Sequence, residues 1–102
     1  MRLSVHIDGA ARLVTLAGEL DIAAVPPLLE GLAVLTSLAE PGDIIIDLTE
    51  LTFIDASGLG AAVQVRNIQL ANGFVLQIVR ANPLVTRVFS LGGLARLLYP
   101  TQ

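Results

Sequence analysis

The spacing of apolar positions changes several times along this chain, and the changes predict alternating strands and helices. Near the start, Leu3, Val5 and Ile7 alternate with polar residues, which is typical of a strand with one buried face. A turn signal at residues 9–11 separates this strand from a second apolar run at residues 13–17. Together the two runs predict an antiparallel hairpin.

Leucines at three- and four-residue steps predict a first helix with one stripe packed on the sheet. The helix opens at Pro26 and Pro27, where missing backbone N–H groups cost little, and the sequence Glu-Pro-Gly at residues 40–42 ends it. The stripe consists of Leu28, Leu29, Leu32, Leu35 and Leu38.

The centre of the chain predicts a second strand-to-helix passage. Three consecutive isoleucines at residues 44–46, closed by Asp47, are typical of a strand buried on both faces. A polar turn is expected at residues 49 and 50, followed by a further apolar stretch. Ser57 then takes the place of a helix N-cap, where we expect it to be exposed beside free helix amides that favour negative charge.

The helix predicted at residues 59–72, ended by Gly73, is apolar on two sides. Such a helix is either deeply buried or presents one stripe to a partner. We expect burial, with Val65 and Ile68 packed against neighbouring helices. One side carries Leu59, Ala62, Val63 and Leu70, and the other Ala61, Val65 and Ile68.

The rest of the chain predicts a strand at residues 74–79 and a helix capped by Asn82. The stripe of that helix is Leu84, Val85, Val88 and Phe89. Gly92 and Gly93 end it, and residues 94–99 form a short turn or strand. The alternation predicts one α/β domain over residues 1–102, with a mixed sheet of about four to five strands and about four helices mainly on one face.

Composition narrows the possible classes of protein. The chain has 102 residues, enough for one domain with a core but too few for two. It contains no cysteine, which excludes disulfides and thiol chemistry and makes a cytoplasmic location the default. No apolar run approaches the roughly 18 residues needed to cross a bilayer, so we expect no membrane partner.

Charge is distributed unevenly along the chain. All nine acidic residues lie at or before Asp55 with only two arginines, whereas the rest carries four arginines and no acid. A sparsely basic half with one aromatic pair is a poor nucleic-acid surface. The acids around the central segment suit a basic protein partner or form a plain solvated face. They are Glu19, Asp21, Asp47, Glu50 and Asp55.

A serine at a strand-to-helix turn also occurs in hydrolases. The Gly-x-Ser-x-Gly elbow, however, would need glycine where Asp55 stands. His6 is the one histidine; it falls on the polar phase of its strand and has no obvious orienting carboxylate. The sequence also has no Gly-Lys-Ser/Thr phosphate loop, dinucleotide fingerprint or metal-ligand cluster. We therefore expect no catalysis, cofactor or metal site.

Three segments resemble the STAS domains of bacterial anti-sigma factor antagonists. The first is Asp-Ala-Ser-Gly-Leu-Gly at residues 55–60, preceded by Ile-Ile-Asp-Leu at residues 45–48. The second is Gly-Glu-Leu-Asp at residues 18–21, and the third is the end of the chain, residues 82–94. The resemblance covers nearly the whole chain.

The resemblance implies a function. In the family, the serine corresponding to Ser57 is phosphorylated by the anti-sigma factor, itself a serine kinase, and a phosphatase resets it. The unphosphorylated chain would bind that kinase and release a sigma factor. Many members have a second hydroxyl residue before this serine, whereas this chain has Ala56. The implied partner-binding residues are Glu19, Asp21, Asp55, Ala56, Ser57, Gly58 and Leu59, with Asp21 near the serine.

Two alternatives stay open. Ser57 could serve only as a helix cap, which stabilises a protein by about 1 kcal/mol. The chain could also be a STAS scaffold, or an accessory subunit of a transport complex, that binds a protein partner without a phosphoswitch. We expect the chain alone to be monomeric.

Overall fold

The hairpin at the start of the chain leads into strands that are each reached through a helix or turn. A computed structural model describes residues 1–36 and 42–99. Its elements are β1 (Arg2–Asp8), β2 (Ala11–Leu20), α1 (Val25–Thr36), β3 (Asp43–Ile54), α2 (Ala56–Ala71), β4 (Leu76–Val79), α3 (Pro83–Leu91), a 3₁₀ turn (Ala95–Leu97) and β5 (Leu98–Tyr99).

The five strands lie in the sheet in chain order, β1-β2-β3-β4-β5. β1 is antiparallel to β2, and every later pair is parallel. The buried residues of the described helices form one cluster with a single alternating set of sheet residues, so these helices lie over the same face of the sheet. The α/β class, the mixed sheet and the one-sided helices are therefore confirmed, with three α-helices and one 3₁₀ turn in the described residues where about four helices were expected.

The hydrophobic core lies between this sheet face and the three helices. Val14, Leu16 and Ile44 of the sheet are almost fully buried there. The largest helical contribution is Phe89 of α3, which is completely buried. From α1 and α2 the core receives Leu28, Leu32, Leu35, Ala61, Ala62 and Val65.

The outer strand β1 is less buried than its alternation predicts. Leu3 packs beside α1, where a Cβ atom at Gly31 would lie 3.2 Å from its Cδ1. Val5 and Ile7 remain 41% and 51% exposed, because within residues 1–36 and 42–99 no strand pairs with the outer side of β1. The prediction of a buried face is wrong for these two residues.

The predicted polar turn after the isoleucines is a β-bulge. β3 runs without a break from Asp43 to Ile54, while its register with β2 shifts between Thr15 and Ala17. The Asp47 carboxylate accepts hydrogen bonds from the amide and hydroxyl of Thr49, at 2.8 and 2.6 Å. These hydrogen bonds lie at the bulge, and the strand continues past it. Burial on both faces is also corrected: the middle isoleucine, Ile45, is only half-buried because no helix covers its face.

Several element limits differ from their predictions. β2 continues through Gly18 and Glu19, which were expected to end it, and β4 begins at Leu76, two residues late. α2 begins three residues early and ends at Ala71, with Asn72 as its C-cap; Gly73, expected to be the cap, follows with a φ of +85° that suits glycine. Leu38 and the predicted stop at residues 40 and 41 lie outside the described residues.

The helix stripes were predicted only in part. Val65 is buried as expected, but Ile68 is 38% exposed on a groove between α1 and α2. Leu70 and, in α3, Leu84 are also exposed. Both apolar sides of α2 contribute to the core, Leu59 and Ala62 from one side and Ala61 and Val65 from the other, while Leu70 and Ile68 stay exposed.

One buried polar residue escaped the sequence analysis. Gln69 is 1% exposed, and its Nε2 donates to the carbonyl oxygens of Gly42 at 2.8 Å and Val75 at 3.2 Å. It thereby joins the end of α2 to the starts of β3 and β4. No helix within the described ranges is long and apolar enough to cross a membrane.

Candidate functional site at the start of the second helix

The N-cap of α2 is Asp55, and the prediction that Ser57 occupies that position is wrong. Asp55 has extended backbone angles, and its carboxylate accepts a hydrogen bond from the amide of Gly58 at 3.1 Å. Its backbone carbonyl accepts the first intrahelical bond, from Leu59. Aspartate caps as well as serine does, and here it comes first at the end of β3. Ser57 is therefore the second residue of the helix.

Ser57 has no structural partner that would explain its hydroxyl. Among the residues that the structure describes, nothing is hydrogen-bonded to it. The side chain is half-buried, although it was expected to be exposed. Its neighbours Ala56 and Gly60 are exposed, and the space where a Cβ atom of Gly60 would stand is open. The hydroxyl thus borders an uncrowded surface beside the free amides of the first helical turn.

Gly58 fixes this turn against the end of β2. The Leu20 carbonyl oxygen accepts a bond from the Asp55 amide at 3.3 Å. A Cβ atom at Gly58 would lie 2.7 Å from that oxygen and 2.7 Å from Cγ1 of Ile54. Only glycine allows this approach without a shift of the helix.

The second motif lies at the neighbouring strand end. Leu20 pairs with Ile54 in the register, so Asp21 and Asp55 leave the sheet from adjacent positions. The side-chain and backbone oxygens of Asp21 accept from the amide of Ala24, at 3.1 and 3.0 Å, which shapes the entry to α1. The structure therefore brings the two predicted motifs together through the β2–β3 pairing.

The predicted site residues differ in exposure. Glu19 and Ala56 are exposed, Asp21, Asp55 and Ser57 are half-buried, and Gly58 and Leu59 are buried. The buried pair positions the turn, since Leu59 also meets the end of α3 at Gly92.

Sequence reasoning missed two apolar side chains next to the motifs. Ile22 is 74% exposed and Phe53 is 44% exposed. Their positions, directly after Asp21 and shortly before Asp55, could have indicated that they border the candidate site. Apolar residues beside a strand end are, however, normally assigned to the core.

One of the five acids near the motifs is paired with an arginine. Asp47 forms an ion pair with Arg80, with 3.2 Å between Oδ2 and Nη1. Burial acts to raise the pKa of Asp47, but hydrogen bonds from the hydroxyl and amide of Thr49 and the charge of Arg80 outweigh it. Together they hold this pKa below its ordinary value. Glu19 and Glu50 are exposed, so the negative surface rests mainly on them.

A hairpin extended by parallel strands, with the helices on one face and a capped serine turn, defines a STAS-type domain. The family described as Mlab, STAS domain, matches residues 3–99. The chain therefore belongs to the STAS-domain family, as the sequence motifs predict.

Relatives of the chain include proteins of known role. A Staphylococcus aureus protein named anti-sigma-B factor antagonist is 33% identical over 91 residues, covering 87% of this chain and 82% of the relative. The structure of the anti-sigma factor antagonist SpoIIAA in its unphosphorylated form has a TM-score of 0.84 at 22% identity, over 95% of this chain and 85% of that one. Bacillus SpoIIAA in the phosphorylated form has a TM-score of 0.75 at 21% identity, over 95% and 88%. At these identities the solved structures establish the fold.

Proposed function

We propose that this chain is an anti-sigma factor antagonist that is switched by phosphorylation of Ser57. The unphosphorylated chain binds an anti-sigma factor serine kinase and frees a sigma factor. Phosphorylation by that kinase ends the binding, and a serine phosphatase restores it. The name of the staphylococcal relative supports the partner class.

The observation that carries this proposal is the state of the Ser57 hydroxyl. It has no hydrogen-bond partner in the described part of the chain, and Ala56 and Gly60 leave the approach to it open. The cap of the helix is supplied by Asp55, so Ser57 is not needed for that role. A serine hydroxyl that has no hydrogen-bond partner among the described residues and borders an open surface is available to another protein's active site.

The same geometry explains why a phosphate would be tolerated by the fold. In the first turn of α2 it would meet free amides and the positive end of the helix dipole. It would also add a charge of about −1.5 to −2 beside Asp55 and on the same edge as Asp21. Because the partner must desolvate this surface, the added charge makes binding more costly and disturbs the fit, so binding is lost while the fold persists.

The test is a side-by-side binding and labelling experiment with the purified anti-sigma factor. Ser57→Asp is expected to keep its melting temperature but to bind at least about tenfold more weakly, which corresponds to about 1.4 kcal/mol. Ser57→Ala is expected to bind and to accept no phosphate from labelled ATP, because Ala56 provides no neighbouring hydroxyl.

Asn67→Asp is the matched control. Asn67 is exposed on the same helix, ten residues or about 15 Å further along, so it tests added charge away from the first turn. It is expected to bind like the wild type. Incorporation of labelled phosphate into Ser57→Ala would show that a residue other than Ser57 is phosphorylated. Equal binding by Ser57→Asp would favour the alternative, a STAS scaffold or accessory subunit that binds its partner without a phosphoswitch.

A further inference from the structure

The outer edge of β1 is a long strand edge to which no other strand of the described residues is paired. β1 has seven residues, pairs with β2 without interruption from Arg2 to Asp8, and contains neither proline nor lysine. An edge strand of this kind presents unpaired backbone groups to another strand. Val5 and Ile7 add apolar surface beside that edge, at 41% and 51% exposure.

The hairpin geometry determines which backbone groups point outward. The loop between β1 and β2 has two residues, and the φ of +59° at Gly9 fits a tight hairpin turn. Such a turn makes the closing pair, Asp8 and Ala11, hydrogen-bonded, and hydrogen-bonded pairs then alternate along the ladder. The amides and carbonyls of Leu3, Val5 and Ile7 therefore point away from β2.

The sequence of β1 is complementary to itself in the antiparallel direction. If a second β1 is placed with Val5 opposite Val5, all seven residues of each strand find a partner. Arg2 then faces Asp8, and Leu3 faces Ile7, twice each by symmetry. The outward-pointing groups also meet in this register, because its hydrogen-bonded pairs are those of residues 3, 5 and 7.

The two faces of this pairing also match. Leu3, Val5 and Ile7 share the helix-covered face with Val14 and Leu16, so the apolar contacts between copies lie there. The charged pair of Arg2 and Asp8 lies on the open face, and both residues are exposed without an ion pair among the described residues. Shifting one strand by two residues leaves both charges without an opposite partner.

From this complementarity we infer that the β1 edge binds a second copy of this chain. The two sheets join into one continuous sheet across a twofold axis at Val5, and opposite charges at both ends set the register. The inference departs from the expectation of a monomer, and the experiment below decides between them. A single strand pair with few apolar contacts gives a small interface, so the dimer is a concentration-dependent one.

Sedimentation equilibrium over a range of chain concentrations tests the inference. The wild type is expected to show a monomer–dimer equilibrium. Val5→Lys places two ammonium groups at the twofold axis and is expected to weaken the dimer by at least about tenfold. Val75→Lys is the matched control, because Val75 is equally exposed at 43% but lies outside the edge strand, and it is expected to dimerise normally.

A charge exchange tests the register. Arg2→Glu alone faces Asp8 with a like charge and is expected to weaken the dimer, whereas Arg2→Glu combined with Asp8→Arg restores opposite charges and the wild-type affinity.

Hydrogen exchange gives a readout that needs no variant. The amides of Leu3, Val5 and Ile7 are expected to become protected as concentration rises, while Ser4 and His6, bonded to β2, stay protected throughout. A monomer at every concentration, or a dimer indifferent to Val5→Lys, would overturn the inference. Dimerisation without rescue by the double exchange would overturn the register.

Discussion

Gly58 lies so close to the end of β2 that a Cβ atom built on it would stand 2.7 Å from the carbonyl oxygen of Leu20. This oxygen also accepts the amide of Asp55, the residue that caps the helix. The strand end and the helix start are therefore held as one unit, and Ser57 lies between their two contact points. The position of the serine depends on a residue that carries no side chain.

This contact predicts opposite effects for two glycines in the same turn. Gly58→Ala should lower the free energy of unfolding by about 1–3 kcal/mol, because a backbone oxygen cannot move aside. Gly60→Ala should raise it by about 0.5–1 kcal/mol, since open space surrounds that position and alanine favours the helix. Chemical denaturation of both variants measures the difference. Equal effects would contradict the close approach.

The exposure of Ile68 changes what its truncation should cost. Val65→Ala creates a cavity in the core and should destabilise the protein by about 2 kcal/mol. Ile68→Ala removes a larger side chain but should cost less than about 1 kcal/mol, because that side chain lies at a groove open to solvent. Denaturation midpoints, compared at equal m-values, show which of the two truncations destabilises the protein more. A larger loss for Ile68→Ala would restore the burial predicted from the sequence.

Asp47 should make stability depend on pH in a defined direction. Its pKa is lowered in the folded protein, so its contribution is present above the pKa of the unfolded chain, about 3.9, and is lost as pH falls through the folded value. Asp47→Asn should therefore be less stable than the wild type at neutral pH, by up to about 1 kcal/mol, with the gap closing in acid. Urea unfolding at several pH values tests this. A stability difference between Asp47→Asn and the wild type that grew in acid would contradict the lowered pKa of Asp47.

The exposed acids Glu19 and Glu50 should steer a basic partner. Combining Glu19→Gln with Glu50→Gln should slow association and flatten its dependence on salt, most clearly where the Debye length exceeds about 10 Å. Stopped-flow mixing with the anti-sigma factor measures the rate. Glu30→Gln on α1 is the control, since Glu30 is exposed but is not one of the acids near the two motifs. An association rate that does not change with ionic strength would show that these acids do not steer the partner.

Much of the fold was predictable because the signals are local. The turn at residues 9–11, the cap at Asn82 and the glycines after α2 and α3 act within a few residues of the backbone that they shape. The two motifs identified the strand ends that form the candidate site. Their spacing in the sequence, however, did not show that Asp55 rather than Ser57 caps the helix, because both residue types cap equally well.

Sequence patterns were enough to predict the order of the elements, the α/β class and the segment that holds Ser57, since periodicity, turn residues and caps depend on the nearest neighbours in the chain. The three-dimensional structure was needed to show that α2 buries residues from both of its apolar sides, that Gln69 joins the starts of β3 and β4, and that Val5 and Ile7 stay exposed. These features depend on what lies across the sheet or beyond its edge. A one-dimensional pattern identifies apolar side chains but not the surfaces that cover them.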